Sequence, residues 1–471
     1  MKLKMQKIHF TKARLKNQWH DHVTLTLDDR GRISDIRTGD QAPGPDTERV
    51  AGYALPGMPN IHSHAFQRAM AGLAEYRTSG GAGRRDSFWT WRDVMYRFAQ
   101  KLSPDDLYHI ARQLYVEMLR AGYTAVAEFH YLHHQPGGAP YDNPAEMSLA
   151  ISWAAADAGL DLTLLPVLYQ AAGFGGQPLS PEQARFGHSA AQYCQLLDLL
   201  HDSFQDDPTR RLGVAFHSLR AVPPESFDPV IRYLDSLSPD APIHIHIAEQ
   251  TKEVEDCRQW SGQRPVEWLL AHQALNERWC LVHATHLTEN ETSTLAQSGA
   301  VAGICPTTEA NLGDGLFPLK SYLDQGGRIA IGSDSHISVS PVEELRLLEY
   351  GQRLHHQSRN IVATAEQPHT GERLYQASLQ GGRRAMGRRD AGAIAVGRRA
   401  DLIVLDATSP LLCATPDRYL LDRFIFSGND NPVKDVMVAG RWRIRDRHHP
   451  QAAAIAGDFR RTMTRLMTLL D

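Results

Sequence analysis

The sequence predicts an α/β chain, a (β/α)8 TIM-like barrel carrying a small β-sandwich domain built from both chain termini. Three observations carry that expectation. Along the middle of the chain, short apolar runs ending in Gly, Pro, His or Asp are each followed by a stretch with helical periodicity. The alternation occurs eight times, which is what a closed parallel barrel requires. The flanks differ in texture: Val23-Thr24-Leu25-Thr26-Leu27 near the start and Asp435-Val436-Met437-Val438 near the end alternate as antiparallel strands do.

In chain order, residues 6–52 read as strands broken by Asp28-Asp29-Arg30-Gly31. Barrel strands are expected at 54–61, 124–130, 161–169, 212–217, 242–247, 279–283, 300–305 and 328–332. Helices are expected between them at 104–121, 144–158, 184–201, 224–237, 265–274 and 289–297. The runs at 400–406 and 435–440 return to the alternating pattern, so one small domain uses both ends. The expected division is 1–54 for the N-terminal part of the sandwich, 55–390 for the barrel, and 391–471 for the rest of the sandwich plus a terminal helix. The Gly/Arg stretch 79–85 reads as a loop.

Composition narrows the function. With 471 residues, 42 % of them hydrophobic, the chain can bury a large core. Fifty Lys plus Arg against 54 Asp plus Glu leave no basic excess to neutralise phosphates. No apolar run reaches the roughly 18 residues that cross a bilayer. Nucleic acid and membrane partners are therefore not expected. The first sixteen residues hold five lysines but no apolar segment or small-residue cleavage site follows, which points to a cytoplasmic protein. Cys194, Cys257, Cys280, Cys305 and Cys413 are odd in number, scattered and never spaced as CxxC, so they read as buried thiols. The 23 histidines are roughly twice ordinary usage.

In a (β/α)8 barrel the C-terminal strand ends converge on one mouth. The first expected strand ends in His62-Ser63-His64, the fifth in His244-Ile245-His246 with Glu249 after it, the sixth in His283, and the eighth in Gly332-Ser333-Asp334-Ser335. His62 and His64 point to the same side of an extended chain and can reach one ion. A third histidine and one carboxylate complete a site for zinc or another first-row divalent ion with room for water. A His-x-His pair alone is commonly a pair of surface or capping histidines; four strand ends facing one mouth make the stronger signal. His246 lies nearer the strand end than His244, which reads as a buried structural residue, and Glu249 faces the same opening. His130, His133 and His134 follow the second strand near the mouth, whereas His355, His356, His448 and His449 read as solvated.

Together these positions resemble the amidohydrolase superfamily, in which His-x-His on strand one, His on strands five and six and Asp on strand eight recur with a split β domain. Within it, the segments GMPNIHSHAFQRAMAGLAE at 57–75, DSFWTWR at 86–92, AEFHY at 127–131, FHSLR at 216–220, HIHIAEQ at 244–250 and TEANLGDG at 308–315 are similar to formimidoylglutamate deiminases. The likeness runs over nearly the whole chain and is poorest in the Gly/Arg loop. It implies hydrolysis of N-formimidoyl-L-glutamate to N-formyl-L-glutamate and ammonia, a step of histidine degradation. It also implies a divalent ion, Zn2+, held by His62, His64, His246 and Asp334. Glu249, His283 and Asp334 would be catalytic. Gln67, Arg92, Tyr131, His217 and Arg220 would contact the two carboxylates of a small dicarboxylate substrate, for which arginine offers a bidentate fork.

Related barrels that hold two metals bridge them with a carboxylated lysine, and the barrel region has only Lys101, Lys252 and Lys320, none at an expected strand end. One ion is therefore expected, and the resemblance implies a homodimer. The alternatives are an aminohydrolase acting on a nucleobase or triazine ring, whose pocket would want aromatic walls and amide donors rather than two arginines, and a metal-free scaffold lacking a ligand.

Overall fold

The computed structural model describes residues 5–39, 43–76 and 87–469. The Gly/Arg stretch 79–85 and Asp86 lie outside the described residues. The N-terminal segment forms β1 (Gln6–Leu15), β2 (Gln18–Leu27), β3 (Ile33–Thr38) and β4 (Thr47–Pro56). The barrel strands are β5 (Met58–Ser63), β6 (Tyr123–His130), β7 (Asp161–Leu168), the short pair β8 (Arg210–Leu212) and β9 (Val214–Phe216), β10 (Ile243–Ile247), β11 (Trp279–His283), β12 (Val301–Ile304) and β13 (Arg328–Ile331). The chain returns through β14 (Leu402–Leu405), β15 (Val433–Val438) and β16 (Arg441–Ile444).

Both ends meet in a seven-stranded sheet ordered β16-β15-β14-β4-β1-β2-β3, antiparallel except for the β1–β4 pair. The expected small β domain thus runs as a single hydrogen-bonded path rather than as two separate sheets. Strand β4 makes it continuous by pairing β1 on one side and β14 on the other. Ile8, Phe10, Val23, Leu25, Leu27, Val50, Ala54, Leu402, Val404 and Met437 pack into this sheet's own core. Their period of two is the alternation visible in the sequence.

The apolar run at 54–61 is not one strand. Its start belongs to β4 and its end to β5, and the chain crosses between the sheets at Gly57, whose absent Cβ would lie 2.1 Å from Thr124 Cγ2. Hydrophobicity continues across that crossing, so pattern alone does not divide it. The run at 212–217 is similarly broken at Gly213.

Strands β5 to β13 pair in parallel, and the ring closes just beyond β13. Asp334 N–H donates to His62 O at 3.0 Å, and His64 N–H donates to Asp334 O at 3.2 Å. Gly332 permits this approach: a Cβ there would sit 2.7 Å from His62 Cβ. Below the seam, Asn60 and Ser333 exchange two hydrogen bonds, Nδ2 to Oγ at 2.6 Å and Ser333 N–H to Oδ1 at 3.1 Å.

Helices cover the barrel. Helix Pro104–Ala121 is capped by Ser103 and Asp106, which exchange backbone and side-chain hydrogen bonds, with Pro at its first position. The terminal helix Ala452–Thr468 packs on it through the ion pairs Arg112–Asp458 and Arg465–Asp106, and its Ile455 and Leu466 join the barrel's core. Helix Thr370–Ala385 reaches the strand starts, where His244 Nε2 donates to Ala385 O at 2.7 Å. At the same end, Asp161 Oδ1 receives Arg388 Nη2 at 2.6 Å and Arg399 Nη1 at 2.9 Å, while Arg399 Nε donates to Asp401 Oδ2 at 2.7 Å. All four are buried, tying the barrel to the approach of β14.

Two expectations about side chains need correction. Cys257, Cys280 and Cys305 are buried, but Cys194 is half-buried and Cys413 is exposed in the loop after β14; none is paired. His449 is buried, its Nε2 donating to Ala158 O at 3.1 Å, where it caps the exposed carbonyl end of helix Glu146–Ala158. No helix among the described residues is long and apolar enough to cross a membrane.

Candidate metal-dependent active site

Three imidazoles meet at the barrel mouth. His62 Nε2 lies 3.1 Å from His64 Nε2 and 2.9 Å from His246 Nε2. The far nitrogens decide what this means. His64 Nδ1 is 2.8 Å from Phe129 O and His246 Nδ1 is 3.0 Å from His217 O, so both rings carry their proton on Nδ1 and leave a bare lone pair on Nε2. His62 can donate to at most one of them. An arrangement with lone pairs turned inward is repulsive until a cation sits among them. Asp334 adds a carboxylate, its Oδ1 3.5 Å from His62 Nε2 and 3.3 Å from His64 Nε2. Three neutral nitrogens and one carboxylate form a donor set for a divalent metal ion.

The electrostatics agree with that use. Burial holds His62 at about 3 despite the neighbouring Asp334, and it likewise lowers His64 and His246. All three rings are therefore neutral ligands at pH 7. Asp334 stays ionised: burial opposes its charge, but the hydrogen bond of His62 and the nearby charge of His283 keep its pKa below the ordinary carboxylate range.

Next to this group lies a second cluster of titratable side chains. His283 Nε2 is 3.8 Å from Glu249 Oε1 and 3.7 Å from Asp334 Oδ2, and its Nδ1 is 3.2 Å from Glu309 Oε1. Burial disfavours the charged ring, yet Glu249, Glu309 and Asp334 together raise its pKa well above the ordinary histidine value. Burial pushes Glu249 up to about 7, with Asp334 and Glu253 adding to the shift and His283 opposing it. Glu253 accepts from the backbone N–H groups of Ala248 and Glu249 at 3.1 and 3.0 Å, which fixes the turn that carries Glu249. Ala248, His283, Ala284, Asp334 and His336 all have positive φ, between 43° and 69°. Of these, His283 and Asp334 border the pocket, held there by strained backbone at the strand ends.

The adjoining pocket is lined by Gln67, Arg92, Tyr131, His217 and Arg220 together with the metal-facing residues, so every residue that the family resemblance assigns to the site except His62 borders it, and His62 lies directly beneath. Gln67 Nε2 donates to Tyr131 OH at 2.9 Å, leaving Gln67 Oε1 buried without a partner. His217 lies against Tyr169, with ring centroids 4.5 Å apart. Arg92 and Arg220 share one support. Their guanidinium carbons stand 4.5 and 5.5 Å from the centre of the Trp89 indole. Among the described residues neither arginine has a carboxylate within ion-pair distance, and each has a buried Nε without an acceptor. Glu253 and Glu249 favour the charge on Arg220 from beyond ion-pair distance, and two cations held side by side with no carboxylate bonded to either form a receptor for a dianion.

His130, His133 and His134 do not line the pocket. They lie behind its wall, where His133 Nε2 donates to Val167 O at 3.0 Å and His134 Nε2 to Gly187 O at 2.7 Å. The loop after the second strand turns away once Tyr131 has reached the opening. Conversely, residue-by-residue reading missed Glu309, Asp314, Trp89, Tyr96, Tyr169 and Phe186. Glu309, Asp314 and Trp89 fall inside segments that carried the family resemblance, but no spacing rule assigned them a partner. Lys252 and Lys320 pair with Asp256 and Asp324 on their own helices, and Lys252 Nζ stands 6.0 Å from the centre of the Trp89 indole.

Comparison with known proteins follows this geometry. The model of the amidohydrolase family matches residues 53–443. A formimidoylglutamate deiminase from Pseudomonas aeruginosa is 53 % identical over 445 residues, covering 94 % of this chain and 96 % of that protein. A 5-methylthioadenosine/S-adenosylhomocysteine deaminase from Natronomonas pharaonis is 26 % identical over 417 residues, 88 % of this chain and 86 % of that one. Among solved structures, an amidohydrolase from Brucella melitensis superposes with a TM-score of 0.91 at 45 % identity, over 98 % of this chain and all of that one. An adenosine deaminase from Xanthomonas campestris with bound zinc, at a TM-score of 0.80 and 22 % identity over 98 % of both chains, shares the fold. With the family match spanning most of the sequence and relatives aligning almost end to end, the chain belongs to the amidohydrolase family.

Proposed function

We propose that this protein hydrolyses N-formimidoyl-L-glutamate to N-formyl-L-glutamate and ammonia. The observation that carries the reading is the unpaired couple Arg92 and Arg220 beside the three-histidine site, supported by the 53 % identity to a formimidoylglutamate deiminase. The substrate has two carboxylates at one end and a formimidoyl carbon at the other. Binding the carboxylates at the arginines, with Gln67, Tyr131 and His217 as further polar neighbours, directs the reacting carbon toward His62, His64, His246 and Asp334.

A single Zn2+ would be held by those four residues, whose donor set fits it, and when bound it would lower the pKa of water toward about 7, making hydroxide, the nucleophile an amidine carbon needs, available near neutral pH. Asp334 would accept the proton released as water adds, and His283, whose charged ring is favoured by its carboxylate neighbours, would orient that water. Glu249, whose pKa of about 7 suits it to take and give a proton, protonates the departing nitrogen so that it leaves as ammonia. Glu309 holds His283 through Nδ1, keeping Nε2 turned toward Glu249 and Asp334. Water contributes the oxygen of the formyl group and two hydrogens in all, which balances the reaction.

The same reading carries a place in histidine degradation, a cytoplasmic location, a homodimer and the division of the chain at about residues 54 and 390. A nucleoside deaminase is the competing reading, since such relatives align at 26 % identity. Aromatic lining does not separate the two, because Tyr96, Tyr131, Tyr169 and Phe186 border this pocket as well. The paired arginines do. Ammonia release by the purified protein from N-formimidoyl-L-glutamate should far exceed that from guanine, cytosine or adenosine; equal or faster release from a nucleobase or nucleoside would sink the assignment.

A further inference from the structure

Asp334 presents its two oxygens to different neighbours. Oδ1 faces His62 and His64, at 3.5 and 3.3 Å, whereas Oδ2 lies 3.7 Å from His283 Nε2. Beyond His283, Glu249 and Asp314 complete a group in which one donor atom from each of the three residues lies within 4.8 Å of the other two. Asp314 is only 5 % exposed. Gln250 Nε2 donates to its Oδ1, but its Oδ2 is buried without any hydrogen-bond donor. Its backbone is fixed as well, Asp314 N–H donating to Glu309 O at 2.9 Å. A buried carboxyl oxygen without a donor, gathered with an imidazole and a second carboxyl group, is an unused ligand position beside that cluster.

We propose that Glu249, His283 and Asp314 form a second divalent-cation site, weaker than the three-histidine site, and that a cation bound there inhibits the enzyme. One imidazole nitrogen and two carboxylates are ligands that zinc and similar ions accept, with Asp334 Oδ2 close enough to supply a fourth. The site is the weaker because its donors must contract: ligands about 2.0–2.1 Å from a shared tetrahedral ion lie roughly 3.3 Å apart, closer than His283 and Glu249 now stand. Inhibition follows from who is bound. Glu249 moves a proton and His283 orients the water in the proposed reaction, and a cation bound to both takes away the groups that this work needs. It also repels the cationic formimidoyl group from the same place. The inhibitory consequence rests on the function proposed above; the site itself does not.

The test is equilibrium dialysis of the full-length protein, already carrying one zinc, against rising zinc chloride, with bound zinc counted by elemental analysis. Wild type should take up a second equivalent at least about tenfold more weakly than the first, and Asp314→Asn should weaken that second binding a further tenfold or more while keeping the first. Kinetically, added zinc should raise KM for the substrate in wild type and do so less in Asp314→Asn. A count that stays at one up to about 1 mM zinc overturns the proposal, as does a second equivalent bound equally by wild type and variant. The wild-type count does not depend on whether the variant folds. Uptake of two ions without turnover of N-formimidoyl-L-glutamate would leave the site standing and remove the proposed function; turnover with a single ion throughout would do the reverse.

Discussion

Asp334 and His62 meet twice. The main-chain N–H of Asp334 donates to His62 O at 3.0 Å, and the Asp334 carboxylate stands 3.5 Å from His62 Nε2. The same two residues therefore close the barrel and form part of the ligand set, so the geometry of the ion site is set by the register of the seam.

Removal of the metal should abolish ammonia release and lower the thermal midpoint, with both restored by a stoichiometric divalent ion. A ligand that binds only the folded state adds about 4 kcal/mol when its free concentration is a thousandfold above Kd. His64→Ala should lose the ion, since only two inward-facing nitrogens remain. Full metal content and activity in that variant would contradict the assignment of His64.

Arg92→Ala and Arg220→Ala should each raise KM with a smaller change in kcat. A charge-assisted contact contributes about 1.5–3 kcal/mol, or roughly 10- to 150-fold in KM. Steady-state kinetics with N-formimidoyl-L-glutamate decide this, and an unchanged KM would remove that arginine from the binding site.

Trp89 touches both guanidinium groups and has no assigned contact with the reacting end. Trp89→Leu should raise KM by about 2- to 30-fold, the equivalent of about 0.5–2 kcal/mol of cation–π attraction, whereas Trp89→Phe should recover part of the loss. Equal KM values for both variants would show that the ring face is not what holds the arginines.

His244 gives a signed pH dependence. Burial lowers its folded pKa to about 4, opposed by its hydrogen bond to Ala385 O, while the unfolded value is about 6.5. Below pH 6.5 the unfolded chain takes up a proton that the folded one refuses, so this group's stability contribution is full above 6.5 and falls as the pH drops. Between pH 7 and 5 the loss is about 2 kcal/mol. Glutamine can keep a donor near Ala385 O without titrating. Urea unfolding of the metal-saturated proteins should therefore show His244→Gln gaining on wild type by about that amount between pH 7 and 5; a constant difference would mean that His244 titrates normally.

Asp161 neutralises two arginines at the barrel's base. Asp161→Ala should destabilise the protein by about 3–5 kcal/mol, because it leaves buried positive charge uncompensated. KM should stay near wild type in the fraction that folds. A midpoint of denaturation equal to that of wild type would show that Arg388 and Arg399 find other partners.

What the sequence disclosed follows from what its patterns encode. The alternating run Val23 to Leu27 and the strand ends at His62, His246, His283 and Asp334 are local features, and local features carry a period or a punctuation mark. The division of 54–61 between two sheets was hidden because Ala54, Leu55, Met58 and Ile61 are all buried, so both strands look alike. The couple Arg92 and Arg220 came from family resemblance rather than from spacing. That both rest on Trp89, and that Glu309 reaches His283, depends on contacts between different elements, which no periodicity records.

The two-ended sheet also bears on how the molecule is made. Strand β4 pairs with β1 early in the chain, but its other edge receives Tyr53–Leu405 and Ala54–Val404 partners only from β14. A ribosome exposes β1 to β4 long before β14 exists, and across that interval β4 offers an unsatisfied, apolar edge to any other nascent chain. Synthesis rather than folded life is thus the exposed period for this protein, and removing the C-terminal strands would make that period permanent.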